Sequence, residues 1–177
     1  MTNLEIINLM QRVTGIIAFG LVTFQIYLGS RKINLRFHMI NGLVAYTFVL
    51  FHPLLQIINT YVYIGKIDPF YVFTDICFLC QNNLEYFINF GRIGLYLITI
   101  AVFAAKFKSI DLWLKTNWKK IHPLNYLAFY SVSLHAINIG TDSGNIFFIL
   151  YFIFCQIVVL FSIVKFFSKM MKKVPKS

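Results

Sequence analysis

The chain has 177 residues, of which 59% are apolar and 12% charged. With a mean hydropathy of +0.73 this excludes an ordinary soluble domain and points to a membrane protein. A formal charge of +10 would suit nucleic acid, but the Lys and Arg stand at the ends of apolar runs, the positive-inside pattern, so no nucleic-acid partner is expected.

No short charged leader with a cleavage site opens the chain, so the first apolar run, 10–29, is expected to stay as a membrane span. The second span, 37–61, has only His38 and His52 as ionisable groups, with Pro53 inside it as an expected kink. Residues 62–89 are aromatic but interrupted by Asp68, Pro69, Asp75, Asn82, Asn83 and Glu85. They predict an outer re-entrant or interfacial segment rather than a span. The third span is 90–107, followed by a basic amphipathic link whose Trp113 and Trp118 suit the membrane interface. Spans four and five follow at 121–139 and 146–167, before a basic tail. The expected fold class is all-α: one domain over 1–177, a polytopic bundle of five transmembrane helices in the cell membrane or an organellar inner membrane.

Charge then orients the bundle. Five spans put Arg31, Lys32, Arg36, Lys106, Lys108, Lys115, Lys119, Lys120, Lys165, Lys169, Lys172, Lys173 and Lys176 on one side. Arg12, Lys66 and Arg92 fall on the other, with every acid except Asp111. The expectation is an outside N-terminus and a cytoplasmic C-terminus.

All four histidines lie in apolar runs, as two pairs 14 and 13 residues apart: His38 with His52, and His122 with His135. Imidazole within a membrane marks a site. The two helices run in the same direction, so each of two levels, about 20 Å apart, receives one imidazole from each helix. Two axial imidazoles are what a six-coordinate haem iron takes. The four histidines are therefore the candidate metal ligands, for two non-covalent haem b groups. Fourteen residues return to nearly the same helix face, whereas thirteen leave His122 and His135 about 140° apart in an ideal helix. His122 precedes Pro123, a residue favoured at the first helical position, where direction is freer.

Around them, Gly42 lies one turn past His38 and would leave room for a flat ring. Arg36, Lys119 and Lys120 are candidates to pair with carboxylates of the inner group, and Arg92 with those of the outer one; ordinary flanking charge explains each equally well. A single mononuclear copper, iron or zinc site would need the four histidines close together. Cys77 and Cys80 form a lone CxxC, either a disulfide or without a role, and Cys155 reads as a core or lipid-facing residue. No CxxCH, GxGxxG or phosphate loop is present, and no catalytic residue is assigned.

Two segments, RFHMINGLVAYTFVLFHP at 36–53 and WKKIHPLNYLAFYSVSLH at 118–135, resemble the ferric reductase-like transmembrane domain family. That family includes the membrane part of NADPH oxidases, ferric reductases and the haem subunit of the bacterial methionine sulfoxide reductase system. The resemblance implies two stacked b haems, the inner on His38 and His122 and the outer on His52 and His135. It also implies electron transfer from a cytoplasmic donor to an external acceptor such as ferric iron, oxygen, a quinone or a partner protein. Large members add a flavin and nicotinamide module, whereas here about ten residues follow Phe167. The expected donor is thus a separate flavoprotein, quinol or free reduced flavin, with further membrane subunits as potential partners. Two other readings remain open: a quinone-linked dihaem cytochrome of the b561 kind, and a haem-free transporter or structural subunit that uses the histidines as a proton relay.

Overall fold

A computed structural model describes residues 2–31, 34–77 and 79–171. Lys32, Lys172, Lys173 and Lys176, counted above on the basic side, lie outside the described residues. The fold is all-α, with helix boundaries set by local caps. Helix α1 (Asn3–Arg31) opens on a reciprocal pair: the Thr2 N–H donates to Glu5 Oε2 and the Glu5 N–H to Thr2 Oγ1, at 2.7 and 3.3 Å. Helix α2 (Leu35–Ile64) starts after Asn34, whose side chain accepts from the Arg36 N–H, and runs through Pro53. It stops at Gly65, which takes the left-handed conformation (φ 73°) and returns its N–H to the Tyr61 carbonyl.

After the single turn α3 (Tyr71–Thr74) and a Cys77–Cys80 disulfide comes α4 (Asn83–Lys106). The Asn82 side chain caps α4 by accepting from the Glu85 N–H at 2.9 Å. Residues 83–89, expected to belong to the interfacial segment, are therefore the first two turns of a long helix. Helix α5 (Leu112–Ile121) is capped by Asp111, and α6 (Leu124–Ile139) follows after His122 and Pro123. Helix α7 (Ile146–Met171) is the last of the described elements.

Among the described residues, α1, α2, α4 and α7 are long and apolar enough to cross a membrane, which makes this a polytopic membrane protein. The expected fifth span departs from this. Residues 121–139 divide between the end of α5 and α6, whose 16 residues reach only about 24 Å against a hydrocarbon core of about 30 Å. Proline at 123 has no N–H to continue α5, so the helix divides there.

Helices α1 and α2 pack along their length, as do α4 and α6, and α7 lies on α1. Gly94 lets α4 approach α6 so closely that a Cβ there would sit 2.4 Å from Val132, and Ser131 donates across to the Phe90 carbonyl. Small residues in such a seam bring backbones together where no hydrophobic effect drives helices together. Helices α2 and α6, by contrast, have no extended packing on each other. They face one another across a middle layer in which Phe129 is fully buried and stacks on Phe19 (5.0 Å between ring centres), which stacks in turn on Phe152 (5.6 Å). The large apolar side chains left exposed, among them Leu43, Phe51, Phe103, Phe154 and Phe161, suit lipid contact.

Candidate functional site: two histidine pairs

The four histidines meet as the sequence pairs them. His38 of α2 and His122, at the α5–α6 joint, have ring centres 6.2 Å apart with planes at 74°. His52 of α2 and His135 of α6 stand 6.3 Å apart with planes at 85°. The first pair lies at the basic end of the bundle and the second at the end that carries the disulfide. Fourteen residues of α2 separate the levels by about 21 Å. The awkward 13-residue spacing is resolved at the joint. There the N–H of Asn125 donates to the His122 carbonyl and that of Tyr126 to the Pro123 carbonyl, both three residues back. Such tight turns wind about 20° further per residue than an α-helix, and the break at Pro123 frees the remaining rotation.

At the disulfide end the two rings are fixed alike. His52 Nδ1 lies 3.0 Å from the Gln11 carbonyl of α1, and His135 Nδ1 lies 2.9 Å from the Phe87 carbonyl of α4. A carbonyl only accepts, so each Nδ1 carries the proton and each Nε2 keeps a free lone pair. Metal-bound histidines are oriented by this kind of contact. In both cases a glycine four residues on uncovers the carbonyl. A Cβ at Gly15 would come within 3.0 Å of the His52 ring, and one at Gly91 within 2.7 Å of His135 Nδ1.

At the basic end the support differs. Gln25 turns its Nε2 to His38 Nε2 at 3.1 Å, and its own oxygen is held by Asn41 Nδ2 at 2.9 Å. His38 Nδ1 is buried without a partner among the described residues. The Asn125 amide is 3.5 Å from His122 Nδ1, and the Trp118 ring stands edge-on at 6.0 Å. Gly29 faces His38 as Gly15 faces His52, with a looser approach of 3.3 Å.

The other expected residues are placed differently. Gly42 faces Gln25 rather than an open slot: a Cβ there would meet the Gln25 amide nitrogen at 2.7 Å. Arg36 and Lys119 are exposed at the basic end, Lys119 with its Nζ 5.9 Å from the Trp118 ring. Arg92 is buried, and its donors go to the carbonyls of Tyr71, Val72 and Asp75 and to Asn89 Oδ1. These contacts tie it to residues 71–75. Cys77 and Cys80 form a disulfide, and Cys155 is buried and free.

The residues that sequence reading passed over are Gln11, Gly15, Gln25 and Gly29 on α1, and Phe87 and Gly91 on α4. A signal was there: Gln-x-x-x-Gly occurs twice on α1 at the same 14-residue interval as His38 and His52. No protein-family model, curated protein or solved structure matches the chain.

The residues present fit haem. At each level two imidazoles, the donor set that would hold haem iron, face each other with ring centres 6.2 and 6.3 Å apart. A direct imidazole–imidazole hydrogen bond would bring ring centres closer, and no such bond joins either pair among the described residues.

Proposed function

We propose that this chain carries electrons across a membrane through two haem b groups, one held by His38 and His122 and the other by His52 and His135. The observation that carries the reading is the repeated ring-centre separation of 6.2 and 6.3 Å, each pair drawn from two helices that do not otherwise pack together. Haem, when bound, supplies reversible one-electron exchange.

The protein's part is ligation, spacing and exclusion of water. The Gln11 and Phe87 carbonyls hold His52 and His135 in the tautomer that presents Nε2. With two histidines at each level, His38 with His122 and His52 with His135 would hold the groups from both sides, and the chemistry supplied would be electron exchange rather than binding of the acceptor. The layer built from Phe19, Ala45, Ile98, Ala128 and Phe129 keeps the space between the levels apolar. Arg36 and Lys119 stand where carboxylates of a group at the basic end would reach solvent.

We assign α6 as a fifth, short span together with the α5 joint, the N-terminus outside and the basic end in the cytoplasm. Charge supports this, and so does the disulfide on the opposite end, since such bonds persist outside the reducing cytosol. The donor is then a cytoplasmic flavoprotein, a quinol or reduced flavin, and the acceptor is external. The resemblance to the ferric reductase-like domains supports the same direction of flow.

The test is the optical spectrum of purified protein, oxidised and reduced, with haem counted per chain. Two haems with sharp six-coordinate bands are expected, falling to one in His52→Ala. A His52→Ala protein that keeps both haems would overturn the ligand assignment. Wild-type protein free of haem after expression with haem supplied would overturn the reading itself.

A further inference from the structure

We propose that the Cys77–Cys80 disulfide is a redox-active site: it takes two electrons from the His52/His135 level and passes them to an external disulfide substrate. The inference rests on the electron-transfer reading above and adds to it a terminal acceptor and a substrate class.

The disulfide is tied to the same helical turn that holds His135. Asn89 of α4 donates its Nδ2 to the Cys77 carbonyl at 2.7 Å and lies 3.0 and 3.2 Å from the two sulfurs. Two residues before it, Phe87 accepts from His135, and two residues after it, Gly91 packs on the same ring. Both sulfurs therefore lie beside the one turn of α4 that forms the wall of the His52/His135 site.

The surroundings suit a working disulfide better than a structural one. It spans three residues, so it removes little chain entropy. The loop is already fixed by Arg92, which binds the carbonyls of Tyr71, Val72 and Asp75. An amide N–H at the sulfurs favours the thiolate that exchange chemistry needs. The Glu85 carboxylate lies within 4.8 Å of both sulfurs, a gap that one bridging water spans. Cys77 also lines an apolar cleft of about 160 Å³, with Ile76, Tyr86, Asn89, Phe90 and Ile93, beside the exposed side chains of Leu79 and Tyr86. Cys77 is thus the sulfur an incoming substrate meets.

The steps balance as follows. Two electrons, arriving singly, break the S–S bond, and two protons from water give two thiols. The Cys77 thiolate then attacks a substrate disulfide, forming a mixed disulfide and releasing one substrate thiol. Cys80 attacks Cys77, releases the second substrate thiol and restores the Cys77–Cys80 bond.

The test is an anaerobic titration of the haem-loaded protein with reduced flavin, following the haem bands and tagging thiols with a maleimide mass label. Wild type is expected to take about four electron equivalents per chain, one for each haem and two for the disulfide, and to gain two labels over its oxidised form. Cys77→Ser/Cys80→Ser should keep both haem spectra and take two equivalents fewer. Cys155 is common to both proteins and cancels. Both haems reduced with no new label would overturn this proposal and leave the haem reading standing. Labels that appear equally in His135→Ala protein would show direct reduction by flavin and also overturn it. Absent haem bands would remove the reading on which it rests, and this proposal with it.

Discussion

At the disulfide end, both imidazoles give an N–H to a helix carbonyl that a glycine has uncovered, one on α1 and one on α4. At the basic end, the same interval on α1 brings a glutamine side chain onto His38 Nε2, leaves Nδ1 buried and unpaired among the described residues, and sets the partner histidine in a break between two helices. Spacing along the chain is nearly the same, but the degree of preparation is not. Backbone carbonyls in mid-helix cannot turn away, so the His52/His135 pair is set before any ligand arrives. His122 also faces a backbone carbonyl of α4, that of Ala101, but His38 must exchange its side-chain contact with Gln25 on binding. Preorganisation of this kind shows as affinity, because less remains to be ordered on binding.

The largest expected effect is therefore stepwise loading. Haem titrated into haem-free protein should fill the His52/His135 pair first and the other pair in a separate, weaker phase. His135→Ala should abolish the tight phase and spare the weak one. One phase of equal affinity at both levels would erase the distinction. Next in size is Gly91→Ala. Its Cβ would stand 2.7 Å from His135 Nδ1, and the ring cannot yield without losing the Phe87 carbonyl. Disturbing such an orienting contact typically costs about 10–100-fold in metal affinity. That loss should fall on the tight phase alone, read in the same titration. Gly29→Ala is its counterpart at the basic end, where the approach is 3.3 Å and the ring has no carbonyl to keep. It should cost about fivefold or less, the smaller end of overpacking effects.

Pro123→Ala tests the joint. Restoring an N–H at 123 lets α5 and α6 merge into one helix. His122 would then turn away from His38 while His135 stays in place. A loss of about tenfold or more is expected in the weak phase, with the tight phase unchanged. Equal loss in both phases would mean that the joint only supports the bundle.

Much of this was legible from the chain, and what was hidden has a physical reason. The histidine pairing follows from two parallel helices that must match in depth; periodicity supports only the 14-residue spacing, and the 13-residue one depends on the break at Pro123. Four of the spans follow from apolar length. The boundaries were harder. Asn3, Glu5, Asn8 and Arg12 make the first turns of α1 look unlike a membrane helix, yet Thr2 and Glu5 cap it there, Asn8 bonds Asn59, and Arg12 pairs with Asp142. Residues 83–89 are too polar to read as a span, but Asn82 starts α4 among them. The carbonyls that orient His52 and His135 were invisible for a different reason. Any residue supplies a carbonyl, so only the glycines at 15 and 91 carry the signal. Their meaning depends on the antiparallel register of α1 on α2 and on the close seam of α4 and α6. The contacts of Arg92 were hidden too, because its partners are backbone carbonyls at 71, 72 and 75 that any residue could supply.

The smallest effect is expected at Gln25. Its amide takes the Nε2 lone pair of His38, the atom a metal would use, and its oxygen is held by Asn41. Gln25→Met keeps the volume against Gly42 and removes the competing donor. Losing a neutral hydrogen bond of this kind costs about 1 kcal/mol of stability. The weak phase loses a competitor at the same time, so haem affinity at the basic end should hold or rise by up to about tenfold. A fall of that size would make Gln25 a second support for His38, and the two ends would then differ only in which part of α1, backbone or side chain, does the orienting.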